Sequence, residues 1–242
     1  PGSLFISRRR GPAALLVTIP ATAFATCALI IGYSLMADGF TVHAASYGIT
    51  LLEPREHRAI TAGVTAYYAN LAPSKVRFSV GSVPVSPWDG REAGIADWSW
   101  SDGLSLGADF VPSRTYREWG FVSVEPTRAR LLLKKSGDAW ALQNALGFDV
   151  EKVVVNVDGV LFESGAVRDG GEVRLERTGG APPLPDANSR SRFSERVVQQ
   201  ATRPLEHGEF LARARGMGFV PTGGITTQLH DSEQLIRGEV EQ

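Results

Sequence analysis

Residues 151–163 read EKVVVNVDGVLFE, and this stretch sets the fold class. Val153, Val155 and Val157 alternate with Val154 and Asn156, the period of a strand with two distinct faces. Asp158-Gly159 separates this run from a second β-rich run at 160–163. Asp-Gly between two such runs signals a two-residue hairpin, because a type I′ turn needs positive φ at both central residues. Arg168-Asp169-Gly170-Gly171 then turns the chain again, and residues 172–177 (EVRLER) read as a further strand.

The same reading extends upstream. Residues 76–80, 120–124 and 129–133 are strand-like, and 139–142 lead towards the hairpin. Residues 45–52 and 58–71 flank the polar connection Glu53-Pro54-Arg55-Glu56-His57, which predicts another hairpin. In the second of these runs Ile60, Ala62, Val64, Ala66 and Tyr68 alternate with Thr61, Gly63, Thr65 and Tyr67. Ile60, Val64, Tyr67 and Leu71 also fit helical spacing, but the interleaved threonines and the tyrosine pair favour a strand. Residues 81–115 are rich in Ser, Gly, Pro, Trp and Asp and read as loops with short strands. Short strands at regular turns predict an antiparallel, sandwich-like β domain.

Downstream, residues 178–189 (TGGAPPLPDANS) have linker composition. Asp186 or Asn188 is a candidate cap for a helix over about 190–203, with Phe193, Val197 and Ala201 on one face. Residues 209–214 and Leu235-Ile236-Arg237 return to strand character. The expected organisation is thus 1–10 flank, 11–37 span, 38–180 β-rich domain, and 181–242 linker, short helix and terminal strand.

The N-terminal span rests on charge. Residues 11–37 are 27 consecutive uncharged residues, GPAALLVTIPATAFATCALIIGYSLMA. A bilayer core needs about 20. Arg8, Arg9 and Arg10 precede the run and Asp38 follows it, which predicts a transmembrane helix with its N-terminal side in the cytoplasm. A cleaved signal peptide is the rival, but its apolar region runs to roughly 7–15 residues. Tyr33 and Phe40 suit the outer interface, and Pro20 a kink. Ala21, Ala25, Ala28 and Gly32 recur at spacings of four, three and four, a small-residue face on which another span could pack. Cys27 lies inside the run as a small apolar residue. The chain opens on Pro1, so a piece of a longer envelope protein is expected, with room for a preceding span.

The net charge of the whole chain is −1, and the part from Asp38 onward carries 22 basic against 26 acidic residues, which argues against a nucleic-acid binder. A single cysteine excludes an intrachain disulfide. Chemistry is sparsely signalled. Gly103-Leu104-Ser105-Leu106-Gly107 fits Gly-x-Ser-x-Gly, which needs a strand-to-helix elbow to be a nucleophile. Pro112 opposes the helix. His43, His57, His207 and His230 show no metal-ligand spacing, and Glu53 and Glu56 have no evident partner carboxylate. No phosphate-binding motif occurs, and no cofactor is implied. Trp88, Trp98, Trp100 and Trp119 cluster with Phe110, Tyr116 and Phe121. They read either as β-domain core or as a ligand face. Arg128, Arg130, Lys134 and Lys135 read as a solvated sheet face.

Several short motifs resemble a group of bacterial membrane proteins with no assigned reaction. They are Arg8-Arg9-Arg10, Thr18-Ile19-Pro20, Tyr67-Tyr68-Ala69-Asn70-Leu71-Ala72-Pro73, Asn144-Ala145-Leu146-Gly147 and the run 153–159 with its Asp-Gly turn. The resemblance implies a bacterial cell-membrane location with the β domain outside, and it supplies no catalytic residues. The leading expectation is a noncatalytic, membrane-anchored envelope module whose partners are membrane lipid and other spans or envelope proteins. The alternatives are an anchored or secreted hydrolase using Ser105 with His57, His207 or His230, and a secreted ligand-binding β domain.

Overall fold

The computed structural model describes residues 13–38, 41–85, 99–100, 103–107, 110–137, 139–180 and 192–241. The chain divides into two compact units, Pro1–Thr41 and Val42–Gln242. In the first, helix α1 (Ala13–Asp38) runs for 26 residues. Its length is about 39 Å at ~1.5 Å per residue. It is long and apolar enough over Leu16–Tyr33 to cross a membrane. Leu16, Val17, Ile19, Phe24, Leu29, Ile30, Ile31 and Tyr33 are all exposed. Two threonine hydroxyls of the run bond within the helix, and Thr18 Oγ1 has no partner among the described residues. Thr22 Oγ1 donates to the carbonyls of Thr18 (2.9 Å) and Ile19 (3.0 Å), and Thr26 Oγ1 to that of Thr22 (2.8 Å). Such back-bonding lets a hydroxyl sit in an apolar surrounding.

The second unit is almost entirely β. Strands β1 (Val42–Glu53) and β2 (Arg58–Ala69) form a long hairpin around a 3-10 turn at Pro54–Glu56. Then come β3 (Val76–Phe78), β4 (Ser82–Val85), β5 (Leu104–Leu106), β6 (Thr115–Pro126), β7 (Arg130–Ser136) and β8 (Ala139–Ala145). They are followed by β9 (Lys152–Val157), β10 (Val160–Ser164), β11 (Glu172–Arg174) and β12 (Glu176–Arg177). Helix α2 (Glu195–Thr202) precedes β13 (Glu209–Arg215), β14 (Thr227–Leu229) and β15 (Glu233–Glu239). The main sheet has the order β12-β10-β9-β13-β15-β1-β2-β6-β4, with β14 also on β1. A three-stranded sheet β11-β8-β7 and a two-stranded sheet β3-β5 complete the unit.

The β9–β10 hairpin forms as read from the sequence. Asp158 and Gly159 have φ of 53° and 80°, and Val157 pairs with Val160. Val153, Val155 and Val157 join one core while Val154 joins another on the opposite face. The β1–β2 hairpin likewise forms, in register from Val42–Ala69 to Glu53–Arg58.

Three expectations require correction. The sheet is not purely antiparallel, because β1 pairs parallel with both β14 and β15. Residue 180 does not bound the β fold. From the stretch set apart as a terminal appendage, β13 and β15 pair with each other and lie between β9 and β1, at the middle of the main sheet. Helix α2 starts at Glu195 with Ser194 at the N-cap, later than the expected start near 190. The candidate caps Asp186 and Asn188 lie outside the described residues.

The core face of β1 and β2 passes through two separate apolar cores. At one end Val42, Ala44, Tyr67 and Ala69 pack with Val76, Phe78, Leu104, Leu106 and Phe110, so the β3–β5 pair covers that core. At the other end Leu52 and Ala59 join Val153, Val155, Phe210 and Ala212 beneath Leu131, Leu133 and Leu142 of β7 and β8. Between them the register partners are Ser46–Thr65, Gly48–Gly63 and Thr50–Thr61. These hydroxyls pair across the strands, at 3.0 Å for Ser46–Thr65 and 2.8 Å for Thr50–Thr61. Gln234 Nε2 donates to Thr50 Oγ1 (2.7 Å), and its Oε1 accepts from the Phe219 N–H (3.0 Å). A buried polar group needs such partners, and this waist supplies them internally.

Candidate functional site

Ser105 is held in the middle of β5. It pairs with Arg77, and its backbone exchanges hydrogen bonds with Ser99 at 2.8 and 3.1 Å. A mid-strand position is not the elbow that a Gly-x-Ser-x-Gly nucleophile requires. The three candidate histidine partners make their contacts elsewhere. His57 closes the 3-10 turn at φ 51°, His207 accepts from the Asp158 N–H (3.0 Å), and His230 meets His43.

Of the tryptophan group, Trp119 is core rather than ligand face. It is 2% exposed, stacks on Phe110 at 4.7 Å, and donates its indole N–H to the Phe110 carbonyl (2.8 Å). Trp100 is 59% exposed. Trp88 and Trp98 lie outside the described residues. On α1, Ala21, Ala25 and Ala28 are exposed, and Gly32 has open space where a Cβ would stand. Among the described residues of this unit the small-residue face is therefore uncovered.

Polar groups gather where β14 gives way to β15 along β1. Ala44 partners Leu229 and Tyr47 partners Glu233, so Ala45 and Ser46 face three residues, His230, Asp231 and Ser232. This is a β-bulge in a parallel ladder, with Asp231 at φ 36°. The bulge is pinned on both sides. His230 N–H donates to the Ala44 carbonyl (2.8 Å), and Ser232 Oγ accepts from the Ser46 N–H (3.0 Å) while donating to the His230 carbonyl (3.0 Å). His43 Nδ1 and His230 Nε2 share a hydrogen bond at 2.9 Å. Tyr47 donates to Asp231 Oδ2 (3.4 Å), and the Arg192 guanidinium lies 5.6 Å from the Tyr47 ring centre. Burial raises the Tyr47 phenol above its usual value, and the Asp231 carboxylate adds to the rise. Beside the bulge opens a cleft of about 470 Å³, lined by Glu151, Arg213, Arg215, His230, Asp231 and Glu233 among others.

The outer face of the main sheet carries the second feature. On its β9–β13–β15–β1 side, Val198, Ala201 and Leu205 of α2 and its exit cover Ile49, Val154, Leu211 and Leu235. Arg237, 2% exposed, anchors the helix end. Its guanidinium donates to the carbonyls of Ala201 (3.2 Å), Arg203 (2.6 Å) and Pro204 (2.9 Å), and to Glu209 Oε2. Burial alone would raise the Glu209 carboxyl, but the Glu206 N–H and Arg237 outweigh it and hold Glu209 below the usual range. On the β2–β6–β4 side the face presents exposed valines among the described residues. Ala62, Val122 and Val83 align across the three strands, as do Val64, Gly120 and Val85. Val122 is 52% exposed, and Val83, Val85 and Val124 are also exposed. An apolar groove of about 440 Å³, floored by Ile49, Leu51, Ile60 and Ala62 and walled by Val197, joins the two halves.

The β4 edge is blunted against strand addition by the loss of its outward N–H donors at Ser82 and Pro84. Val124 N–H donates to the Gly81 carbonyl (2.8 Å), so alternation turns the N–H positions of Ser82 and Pro84 outward. Ser82 N–H is taken by the Ser79 carbonyl (3.1 Å), and proline has no N–H. Blunting of this kind keeps sheet edges from pairing with other chains.

No protein-family model matches the chain. No curated protein matches it either. Among solved structures, it is similar to the yeast delta-COP-I mu-homology domain in complex with a Dsl1 WxWxV peptide, at 10% identity and a TM-score of 0.34, covering 82% of this chain and 96% of that one. It is similar to the yeast delta-COP-I mu-homology domain alone at 11% identity and 0.33, with the same coverage. It is also similar to the Danio rerio Fcho1 mu homology domain with a bound Eps15 peptide, at 8% identity and 0.33, covering 84% and 96% of the two chains.

Proposed function

We propose that the chain is a noncatalytic, membrane-anchored interaction module of the bacterial cell envelope. In this reading α1 spans the bilayer, Arg8, Arg9 and Arg10 stay in the cytoplasm, and the β unit lies outside. The observation that carries the reading is α1 itself, a helix without a charged residue from Ala13 to Ala37 whose apolar side chains are exposed. Exposed apolar surface on this scale is stable in lipid and costly in water. The exposed valine stripe on β4 and β6 supports a role in binding protein partners, because exposed apolar patches mark interaction surfaces. The blunted β4 edge, without an outward N–H at Ser82 or Pro84, favours face packing over strand addition there. The bacterial family resemblance supports the envelope location.

Membrane extraction combined with cysteine labelling tests this reading. Native Cys27 falls within the span, so cysteines introduced as Ser7→Cys and Ser74→Cys can be compared with an impermeant reagent in intact cells. Labelling at position 74 and protection at position 7 is the expected result. Labelling at position 7 alone would reverse the topology, and recovery of the chain in the soluble fraction would remove the anchor.

A further inference from the structure

We propose that His43 and His230 form a surface site for a divalent transition-metal ion of the nickel and copper type. The facing nitrogens, Nδ1 of His43 and Nε2 of His230, are 2.9 Å apart. The ring centroids are 5.1 Å apart and the planes are inclined by 35°. Two metal–imidazole bonds of about 2.05 Å meeting at a right angle separate their nitrogens by ~2.9 Å, whereas a tetrahedral angle separates them by roughly 3.3 Å. The pair therefore has the spacing of two adjacent positions of an octahedral or square-planar ion.

The backbone fixes this spacing from two strands far apart in sequence. His43 pairs in register with Gln228 on β14. His230 is tied to Ala44 through its N–H and to Ser232 through its carbonyl. His230 is exposed and His43 half-buried, so an ion reaches them from solvent, and each ring swings its lone pair about 45° off the nitrogen–nitrogen line to meet it. The proton that the two nitrogens share moves to the far nitrogen of its own ring, leaving two neutral imidazoles as ligands. Asp231, next in sequence to His230, places negative charge on the same bulge. Among the described residues no group of three or more His, Cys, Asp or Glu forms a metal set. Water then fills the remaining positions. This donor set selects borderline ions that favour imidazole and does not hold Mg²⁺ or Ca²⁺, which prefer several oxygen ligands.

Calorimetric titration of the full chain in detergent micelles with NiCl₂ tests the site. His43→Gln and His230→Gln are compared with the controls His57→Gln and His207→Gln. Glutamine keeps hydrogen-bonding capacity at either position, and metal-free melts confirm that each variant folds. The expected result is one Ni²⁺ bound per chain in the parent and both controls, with binding weakened at least about tenfold in either variant of the pair. MgCl₂ should give no binding heat, and a Ni²⁺-dependent rise in Tm should appear in the parent and disappear in both pair variants. Failure of the parent to bind Ni²⁺, or unchanged affinity in a folded His43→Gln or His230→Gln, would overturn the proposal.

Discussion

Gly48 and Gly63 face each other across β1 and β2, and the side chain of Val220 occupies the space that their missing side chains leave. A Cβ on Gly48 would stand 2.6 Å from Val220 Cγ2, and one on Gly63 would stand 3.0 Å from Val220 Cγ1. The two glycines thus let the loop carrying Val220 close over the polar waist between the cores.

Gly48→Ala should therefore destabilise the β unit by about 1–3 kcal/mol, the usual cost of overpacking. Val220→Ala should recover part of that loss in the double variant, because the two changes share one space and are not additive. Chemical denaturation of the full chain in micelles, followed by tryptophan fluorescence, measures the cycle. Strict additivity would refute the contact.

The Asp158-Gly159 turn gives a second expectation. A Cβ at Gly159 meets no heavy atom within 4 Å, so the constraint at this position is the positive φ alone. Gly159→Val should cost about 1–2 kcal/mol from the left-handed conformation. Gly159→Asn should cost less, since asparagine tolerates that region. Melting curves that rank the parent, Asn and Val in that order would support the backbone account. Equal Tm values for the three would remove it.

Acid should expose the Glu209–Arg237 contact. Because the folded-state value of Glu209 is lowered, its contribution is present above the unfolded carboxyl value of about 4.3 and is lost as pH falls through the folded value. Glu209→Gln should flatten this acid limb of the stability curve. Arg237→Met should cost about 1–3 kcal/mol near neutral pH, because three carbonyls at the end of α2 lose their donor while Glu209 keeps Arg203 and the Glu206 N–H. Denaturation midpoints between neutral pH and the acid limb test both effects.

The exposed valines of β4 and β6 predict a separation of binding from stability. Val122→Lys should change stability by no more than about 0.5 kcal/mol, since the side chain is half in water. A photo-crosslinking residue at Val122 should capture a protein neighbour in native membranes, and one at Lys75 should not. Equal capture at both positions would argue against a dedicated face.

Local patterns were readable and distant pairings were not. The Asp158-Gly159 hairpin, the β1–β2 hairpin and the apolar run of α1 each follow from contiguous residues whose turn chemistry or periodicity is self-sufficient. The position of β13 and β15 depends on partners that lie far away in sequence, and no local signal carries that. Leu235-Ile236-Arg237 reads as a short strand, yet nothing in those three residues says that Ile236 faces a core while Arg237 ties down a helix. His43 and His230 are separated by 186 intervening residues, so their contact required the parallel β1–β14 register. Trp119 illustrates the opposite difficulty, because an aromatic cluster in sequence does not distinguish core from surface.

The central place of β15 has a consequence for the order in which the molecule can be made. Synthesis and any passage across a membrane deliver β1 and β2 well before residues 233–239. Until those residues arrive, most of one side of β1 lacks its neighbour, and the β9–β13 half of the sheet cannot be joined to the β1–β2 half. The growing chain must therefore wait with an open, unpaired strand. Long-range pairing of this kind closes slowly and leaves the intermediate prone to aggregation. A product truncated before residue 233 would retain the β1–β2 hairpin yet lose the link between the two halves of the sheet.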